Sequence, residues 1–470
     1  MSDRALAQRA GLIAPVLLGA YAAAIALAPG PAIALVLAAP LAILPIAWWA
    51  TLQRDRWLLL FFAAALLLPP LPFGWGNSGP HPSVVFILFG LLAGLFTLGR
   101  WRVAGAQLNR ALGVFFLILL ASAAEAGFYS GALVGVGSLV RVLLFGISVY
   151  VFFYTAYSPG ARAPEDIFTQ VRWLYGIAVA SALFACVDFY FQFPAPAGFG
   201  AQFIWLRSGV YRRAQGLFYE ASTLGNFCAF FLVMIAAALL SRKAPVSRRA
   251  WLPGGMVFAA ALVLSFSRAS LLNILVAAAA LLYLRRPRVR LARMALLFGG
   301  MALAGLLLLR ALFPEFAEAY WLRLTASAQY FFSETEGVLS GRVGSWRAVL
   351  AFLAEHPWHA ILGVGYKTLP YSDYLGRTVI TDNMYLSLLA ETGIVGLGAM
   401  LWLSLEMLRA AQRAARSADS RRSFFGTWIF AFWAGQMVQM FSGDLLTYWR
   451  VMPLYFWVLA LAVRDEHPVS

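Results

Sequence analysis

Charged, polar and glycine residues collect in one stretch of this sequence, between Gly341 and Gly396, whereas most of the chain is strongly apolar. The stretch contains arginine, histidine, aspartate and asparagine side chains, which can bind anions or accept and donate protons. A second polar run, from Gln192 to Ala221, carries arginines and a glutamate. A functional site is therefore expected to draw its residues from these two runs.

The arginines are candidates for binding a phosphate or diphosphate. Arg212 and Arg213 are adjacent in YRRAQGLFYEAS, while Arg268 and Arg342 lie in SFSRAS and SGRVGSW. A guanidinium group presents several N–H donors in one plane, which suits phosphate oxygens. The Arg212 and Arg213 pair could instead anchor the chain to lipid headgroups. Arg141 falls inside an apolar segment, where a charge is costly, so it is a functional candidate unless its side chain snorkels to the membrane surface.

Asp382 and Glu220 are the best-placed carboxylates. Asp382 directly precedes the apolar run MYLSLLAETGIVG, where a polar loop gives way to an apolar segment. A carboxylate there could act as a general base toward a hydroxyl group, with a pKa set by burial and by neighbouring arginines. Asp is also a preferred N-cap residue, so capping of the following helix is an equal alternative.

The other motifs of the main polar stretch favour neither a metal nor a nucleotide. His356 and His359 are close in sequence, but Pro357 lies between them and no carboxylate-rich frame surrounds them. The GVGY sequence that ends at Tyr366 predicts a turn. It does not indicate a nucleotide-binding loop, because such a glycine loop needs a strand before it and a helix after it. The sequence contains no Walker, HExxH or GxSxG pattern, and neither a metal nor a cofactor is expected.

The elements that position these residues are predicted to be membrane-spanning helices. The 470 residues are 62% hydrophobic and 12% charged, which is outside the range of soluble globular proteins. Apolar runs long enough to cross a bilayer core recur from Leu12 almost to the C-terminus, and backbone groups in lipid must pair within their own segment. The sequence predicts an all-α polytopic transmembrane protein with about 12–14 spans.

The basic residues follow a membrane topology. Every second loop between apolar runs is rich in arginine, which predicts that these loops and both termini are cytoplasmic. The net charge of +16 is thereby explained, and nucleic acid is not an expected partner. The runs that contain Arg212 and Asp382 then fall on the outer side, where Arg268, Arg342 and Arg141 could converge with them on one anion.

The longest outer loop, residues 314–381, is predicted to be helical. Apolar residues recur at helical spacing over Arg342–Glu355, which would lay one face of a helix on the membrane surface. The predicted organisation is an N-terminal transmembrane bundle over residues 1–313, this large loop, and C-terminal transmembrane helices over residues 382–470.

In this order the motifs resemble those of the bacterial O-antigen ligase and polymerase superfamily, whose members are polytopic inner-membrane enzymes with a large periplasmic loop. The motifs are RRAQGLFYEAS, SFSRASLL, SGRVGSW, HPWHAILGVGY and DNMYLSLLAETGIVG. The last is similar to the ligase signature of His, then Asn, Ser or Gln, nine residues and GxxG, here Asn383, Gly393 and Gly396. Asp382 stands where the signature has histidine, which weakens the lipopolysaccharide-ligase interpretation and leaves polymerases and related glycan transferases open.

The resemblance implies a GT-C-like membrane glycosyltransferase of the bacterial inner membrane. It would transfer a glycan from undecaprenyl diphosphate to a hydroxyl of a glycan or lipid acceptor at the periplasmic face, without a metal or nucleotide sugar. Single displacement would invert the anomeric carbon. The implied catalytic residues are Asp382 as base and Arg342, Arg213 and Arg212 on the diphosphate. The implied substrate-binding residues are Arg268, Arg141, Glu220, Asn383, Tyr366 and His356.

Two other classes of protein are alternatives. A transporter or flippase of lipid-linked oligosaccharides is expected to show pseudo-repeats and polar, broken helices at mid-membrane. No repeat is evident, and the polar residues cluster outside the apolar runs. A non-catalytic partner of a polysaccharide-export complex is the other alternative, and it would tolerate the loss of Asp382.

Overall fold

The predicted helices dominate the computed structural model of the chain, which is that of an all-α polytopic membrane protein. The predicted spans between residues 12 and 50, and the basic run that begins at Arg285, lie outside the described residues. The structure describes residues 56–71, 80–158, 164–195, 202–241, 248–284, 310–311, 314–329 and 342–464.

The described chain forms fourteen α-helices and one antiparallel β-hairpin, whose strands are β1 (Phe203–Leu206) and β2 (Gly209–Arg212). The helices are α1 (Arg56–Leu67), α2 (Ser83–Leu95), α3 (Gln107–Ser130), α4 (Ala132–Tyr157), α5 (Pro164–Phe191), α6 (Ala221–Leu240), α7 (Arg248–Leu264), α8 (Arg268–Leu284), α9 (Pro314–Gln329), α10 (Arg342–Glu355), α11 (Pro357–Leu362), α12 (Met384–Ala415), α13 (Ser420–Gln439) and α14 (Met452–Val463).

Within these ranges five helices, α3, α4, α5, α6 and α12, are long and apolar enough to cross a membrane. Their burial differs strongly: 89% of the apolar window of α6 is buried inside the protein, against 28% for α4. An apolar helix that is buried on all sides belongs to the centre of a bundle, whereas one with exposed apolar faces contacts lipid. We therefore assign α6 to the centre of the bundle and α4 to its lipid-facing surface.

The loops meet at two opposite ends of the bundle. One end, here called the loop-rich end, gathers residues 68–71, 80–82, 192–195, 202–220, 265–267, 342–383 and 440–451. Arg450 joins several of these segments, because its buried guanidinium group donates to the carbonyl oxygens of Ala65, Leu68 and Leu217. At the opposite end, the Asn109 amide donates to the Tyr157 hydroxyl at 2.7 Å.

Helix α12 is bent at Gly393, where φ is 66° and ψ is −174°. A Cβ atom at this position would lie 2.0 Å from the carbonyl oxygen of Ile361, so a glycine lets α11 approach the bend closely. The carbonyl of Ala390, in the turn before the bend, accepts the N–H of Val364 at 3.0 Å. Gly393 therefore allows α12 to bend against α11, and the loop after α11 supplies an N–H partner for a carbonyl group of α12 near the bend.

Helix α10 covers Arg342–Glu355, so the predicted helix and its bounds are confirmed, while its position on the membrane surface stays a prediction. Val349 and Leu353 are buried in a small cluster with Ala390 of α12, whereas Leu350 is 53% exposed. Some apolar residues of α10 thus pack on the bundle, whereas others remain exposed next to it.

Candidate functional site

The first polar feature of the loop-rich end is an ion pair between Arg342 and Asp382. Arg342 begins α10, and its Nε lies 3.1 Å from Oδ2 of Asp382, directly before α12. Its Nη1 donates to the Ser442 hydroxyl at 2.7 Å. The two side chains are 23% and 48% exposed, so the pair is accessible. Residues far apart in sequence are thereby joined where α10, α12 and the segment after α13 meet.

Asp382 does not cap α12, although its position in the sequence allowed that alternative. The cap is Asn383, whose Oδ1 accepts the N–H groups of Tyr385 and Leu386 at 3.1 and 3.2 Å. One predicted substrate-binding residue therefore has a structural use, since these bonds satisfy free donors at the helix start. The Asp382 carboxylate is left to face Arg342.

Backbone strain concentrates at the same end of the molecule. Among the described residues, the non-glycine residues with positive φ are Gln192, Phe266, Lys367 and Asp382. All four lie in segments of the loop-rich end. Such conformations cost free energy and persist where the surrounding structure holds them, which is common at functional sites.

Glu220 is the second acidic group of the site and immediately precedes α6. Its Oε2 accepts the Ser222 hydroxyl at 2.8 Å. Burial raises the pKa of Glu220 above its ordinary value, the Ser222 hydroxyl lowers it, and the Asp382 and Asp444 carboxylates raise it. Glu220 therefore interacts electrostatically with Asp382, as expected if the two predicted carboxylates belong to one site.

A buried ion pair between Lys367 and Asp444 was not identified from the sequence. The Lys367 ammonium group donates to Oδ2 of Asp444, and the side chains are only 8% and 15% exposed. Burial is the largest single influence and lowers the pKa of Lys367, but Asp444, Tyr366 and Glu391 together raise it by more, so the net pKa is raised and the amine is charged. A sequence signal existed, because Lys367 is one of two lysines in the whole chain.

The adjacent arginines Arg212 and Arg213 have different partners. Nη2 of Arg212 lies 2.7 Å from Asp188 of α5, and its side chain is 10% exposed. Nε of Arg213 donates to the Ser265 carbonyl at 2.7 Å, in the turn that leads to Arg268 at the start of α8. Arg212 thus ties the β-hairpin to α5, whereas Arg213 lies beside the segment that carries Arg268.

Arg141 lies on α4 and stacks its guanidinium group on Tyr371 of the loop, 3.8 Å from the ring centroid. Its Nη1 donates to the Gly137 carbonyl at 2.8 Å. Tyr366 is buried near these residues, and its hydroxyl has no hydrogen-bond partner within the part of the chain that the structure describes. Arg141 of α4 therefore contacts the loop that follows α11, and Tyr366 is a buried residue of that loop.

His356 belongs to an aromatic cluster at the junction of α10 and α11. Its ring stacks on Phe352 with centroids 4.7 Å apart, and its Nδ1 lies 3.2 Å from the Phe352 carbonyl oxygen. No direct contact joins His356 to Asp382 among the described residues. Of the predicted site residues, Asp382, Arg342 and Glu220 form one group, while His356 lies in another.

An apolar groove adjoins the Arg342 and Asp382 pair. Its volume is about 290 Å³, and it lies between α10 and α12. Trp346 and Leu350 form one wall, and Leu386, Leu389 and Leu397 form the other. Because Leu397 lies beyond the bend of α12, the groove extends from the polar residues toward the apolar part of the bundle.

A network of uncharged polar side chains lies inside the bundle next to the site. The Asn226 amide nitrogen of α6 donates to Gln436 at 2.5 Å and to Gln439 at 2.9 Å, both on α13. Asn273 of α8 also donates to Gln439 at 2.9 Å. These buried amides join the three helices α6, α8 and α13 by hydrogen bonds that need no charge, and their spacing in the sequence did not reveal that they meet.

Fold and site together define a polytopic membrane protein with a polar, charged site at one end of its helical bundle. Residues 253–401 match the family model described as O-antigen ligase (Wzy_C). The matched segment runs from α7 to α12 and includes Arg268, Arg342, Lys367 and Asp382. No curated protein matches the chain. The match confirms the resemblance to the O-antigen ligase and polymerase superfamily and supports a function of that general type.

Proposed function

We propose that this protein transfers a glycan from undecaprenyl diphosphate to an acceptor hydroxyl at the periplasmic face of a bacterial inner membrane. The observation that carries the proposal is the accessible pair of Arg342 and Asp382 within the matched O-antigen ligase segment. Such a transfer needs a base for the acceptor hydroxyl and a cation for the leaving diphosphate, and a carboxylate and a fixed guanidinium group at the loop-rich end can supply them. The acceptor is a glycan chain or a lipid, and the protein is surrounded by membrane lipids.

In the proposed reaction, the acceptor oxygen attacks the anomeric carbon of the donor sugar. Its proton passes to the Asp382 carboxylate, and the bond between the anomeric carbon and the diphosphate oxygen breaks. The electron pair leaves with the diphosphate, whose growing negative charge Arg342 stabilises. One displacement inverts the anomeric carbon, and the step uses neither a metal nor a cofactor.

The other predicted cations have supporting roles in this proposal. Arg268 begins α8, and Arg213 donates to the Ser265 carbonyl in the turn between α7 and α8, so both would contribute positive potential to the diphosphate. Arg212 would act indirectly, by holding the β-hairpin on Asp188 of α5. Glu220 would tune the charge around Asp382, with which it interacts.

The apolar groove between α10 and α12 supports a lipid-linked donor. It begins at Asn383, next to the charged pair, and is otherwise lined mainly by leucines and Trp346. An amphiphile with a charged head and a long apolar tail matches this change from polar to apolar lining. In the proposed orientation the loop-rich end faces the periplasm and both termini face the cytoplasm, as the basic loops favour.

The proposal is tested by glycan output in a strain that lacks the native gene. The strain is complemented with the wild type, Asp382→Ala or Asp382→His at matched protein levels, and Asp373→Ala serves as control, since it removes an exposed aspartate of the same loop. We expect Asp382→Ala to abolish the product and lipid-linked precursor to accumulate, because general-base catalysis contributes roughly 10²–10⁴-fold.

Product at the wild-type level from Asp382→Ala would show that Asp382 is not the base. Restored product from Asp382→His would show that the position needs a proton acceptor. The length of the wild-type glycan then separates the two reactions of the superfamily: a ladder of repeats indicates polymerisation, and one block on a new acceptor indicates ligation.

A further inference from the structure

An aromatic platform lies at the loop-rich end, apart from the charged site. We define it as Tyr129 of α3, Phe352 of α10, His359 of α11 and Tyr374 of the following loop. The Tyr129 ring centroid is 5.1 Å from that of His359 and 5.5 Å from that of Tyr374. Phe352 stacks on His359 with centroids 5.5 Å apart. Four segments thus contribute rings to one cluster, in which Phe352 stacks on His359 and Tyr129 and Tyr374 meet the His359 ring edge to face.

Hydrogen bonds hold the platform in a fixed arrangement. Nδ1 of His359 lies 2.9 Å from the Gly363 carbonyl oxygen, which can only accept, so this nitrogen carries the proton. In the neutral ring Nε2 is then an acceptor, and it takes the proton of the Tyr374 hydroxyl at 3.2 Å. The lone pairs of the Tyr374 oxygen remain able to accept a hydrogen bond from a ligand.

The platform is both accessible and polar at its edges. Tyr129 is 37% exposed and Tyr374 is 36% exposed, while Phe352 and His359 are half-buried. Glu125, one turn before Tyr129 on α3, interacts electrostatically with His359. The surface therefore combines ring faces with a carboxylate, an imidazole and phenol groups.

This combination suits a carbohydrate. The C–H faces of a sugar ring pack on aromatic faces, while its hydroxyl groups need hydrogen-bond partners at the edge of the rings. A purely interfacial aromatic belt needs no carboxylate beside its rings. Phe128 and Trp358, which are 83% and 75% exposed, fit that belt better than the platform does.

We propose that the platform is a binding site for an oligosaccharide chain, remote from the reacting sugar. Phe352 lies ten residues after Arg342 on α10, which corresponds to about 15 Å along the helix axis. This separation is longer than one monosaccharide, so the platform would hold a more distant part of the glycan. The assignment of this glycan to the transferred or accepting chain rests on the proposed function, but the binding itself does not.

The test is direct binding to the full-length protein in lipid nanodiscs, without any lipid-linked donor. The probe is a panel of soluble oligosaccharides, released by mild acid from bacterial envelope polysaccharides, in lengths from one sugar upward. Binding isotherms are compared for the wild type, Tyr129→Ala and Tyr374→Ala. Trp205→Ala is the matched control, because it removes a 74% exposed ring on β1 at the same end of the protein.

We expect the wild type to bind oligosaccharides more tightly than monosaccharides. Each platform variant should weaken binding by about fivefold, the range expected for loss of one aromatic contact. Tyr374→Phe, which keeps the ring and removes the hydroxyl, should lie between wild type and Tyr374→Ala. Trp205→Ala should bind as the wild type does.

Three results would overturn the platform: no oligosaccharide binding by the wild type, equal binding by the alanine variants, or an equal loss in Trp205→Ala. If the alanine variants lower only thermal stability in nanodiscs and leave glycan binding unchanged, the rings serve packing alone and the platform is rejected. Oligosaccharide binding by a wild-type protein that transfers no glycan would instead reject the proposed function and keep the platform. The two proposals can therefore fail separately.

Discussion

Two ion pairs at the loop-rich end have similar chemistry and very different surroundings. Arg342 and Asp382 are 23% and 48% exposed, whereas Lys367 and Asp444 are 8% and 15% exposed. The accessible pair can exchange its partners for substrate groups at little cost. The buried pair cannot, because separating its charges would leave one of them without a partner in a poorly hydrated place.

Burial therefore assigns different tasks to the two pairs. Lys367 joins the loop after α11 to Asp444 in the segment between α13 and α14, so this pair fixes the position of the loop. Asp444 also accepts the N–H of Leu446 at 3.0 Å, which fixes its own orientation. We infer that the buried pair is structural and that the accessible pair performs the proposed chemistry.

The largest effect on stability is expected from Lys367→Ala. The substitution leaves the Asp444 carboxylate buried without its ammonium partner, which typically costs about 3–5 kcal/mol. Thermal unfolding of the detergent-solubilised protein, followed by intrinsic tryptophan fluorescence, should begin at a clearly lower temperature than in the wild type.

The control for this variant is the double substitution Lys367→Met with Asp444→Leu. Replacing both charges by apolar groups of similar size removes the unpaired charge and should restore most of the stability. A Lys367→Ala protein that unfolds at the wild-type temperature would contradict the structural role of the buried pair.

Arg342→Gln should have the opposite profile to Lys367→Ala: it should lower glycan transfer strongly and stability only slightly. Because the Arg342 and Asp382 pair is accessible, its loss should change the free energy of unfolding by about 1 kcal/mol or less. Glycan transfer should fall by roughly 10²–10³-fold, as for removal of one fixed group that stabilises developing negative charge.

Arg347→Gln on the same helix is the matched control for activity, since Arg347 is exposed and lies one turn further along α10. Matched transfer rates for Arg342→Gln and the wild type would reject the role of Arg342 in the reaction. A stability loss as large as that of Lys367→Ala would remove the distinction between the two pairs.

Glu220 gives a pH-dependent prediction. Its folded-state pKa is raised, so folding favours the protonated form, and this contribution to stability is present at low pH and lost as the pH rises through the folded pKa. Glu220→Gln cannot lose a proton. Its unfolding temperature relative to the wild type should therefore increase as the pH rises above about 4, where an unperturbed glutamate begins to lose its proton.

The groups that face Glu220 are Asp382, Asp444, Lys367, Tyr448 and Ser222, and all are retained in this variant. Glu355→Gln, which changes an exposed glutamate of α10, should show no such increase. A pH-independent difference between Glu220→Gln and the wild type would show that Glu220 does not hold a proton more strongly in the folded protein.

The smallest effect is expected at Asn383. Asn383→Ala removes the N-cap of α12 and should lower the free energy of unfolding by about 1 kcal/mol, while Asn383→Ser should restore it. If Asn383 also binds substrate, Asn383→Ser will recover stability without recovering glycan transfer. Equal recovery of both would limit Asn383 to capping.

The sequence predicted the candidate site unevenly. The resemblance in motif order pointed to Arg342, Asp382 and Glu220, and the structure brings them into one region. It also pointed to Asn383 and His356, whose contacts are a helix cap and a ring stack. Residue type alone could not separate these cases, because asparagine and histidine serve structural and chemical roles with the same atoms.

The sequence by itself determined the helices and their membrane setting. Lipid cannot hydrogen-bond to the backbone, so long apolar runs form helices wherever the chain crosses the bilayer. Amphipathic spacing similarly determined α10 over Arg342–Glu355. These features depend on neighbours within a few turns, which the order of residues specifies.

Only the tertiary structure decided which polar groups meet and how deeply they are buried. Lys367 pairs with Asp444 and Asn226 with Gln436 across long sequence separations, so neither partnership follows from local periodicity. Tyr129 and Tyr374 come together in the same way, through the docking of a loop on α3. The energy of a charge or an aromatic ring depends on the groups that surround it. Those groups are brought together only when segments distant in sequence pack against each other.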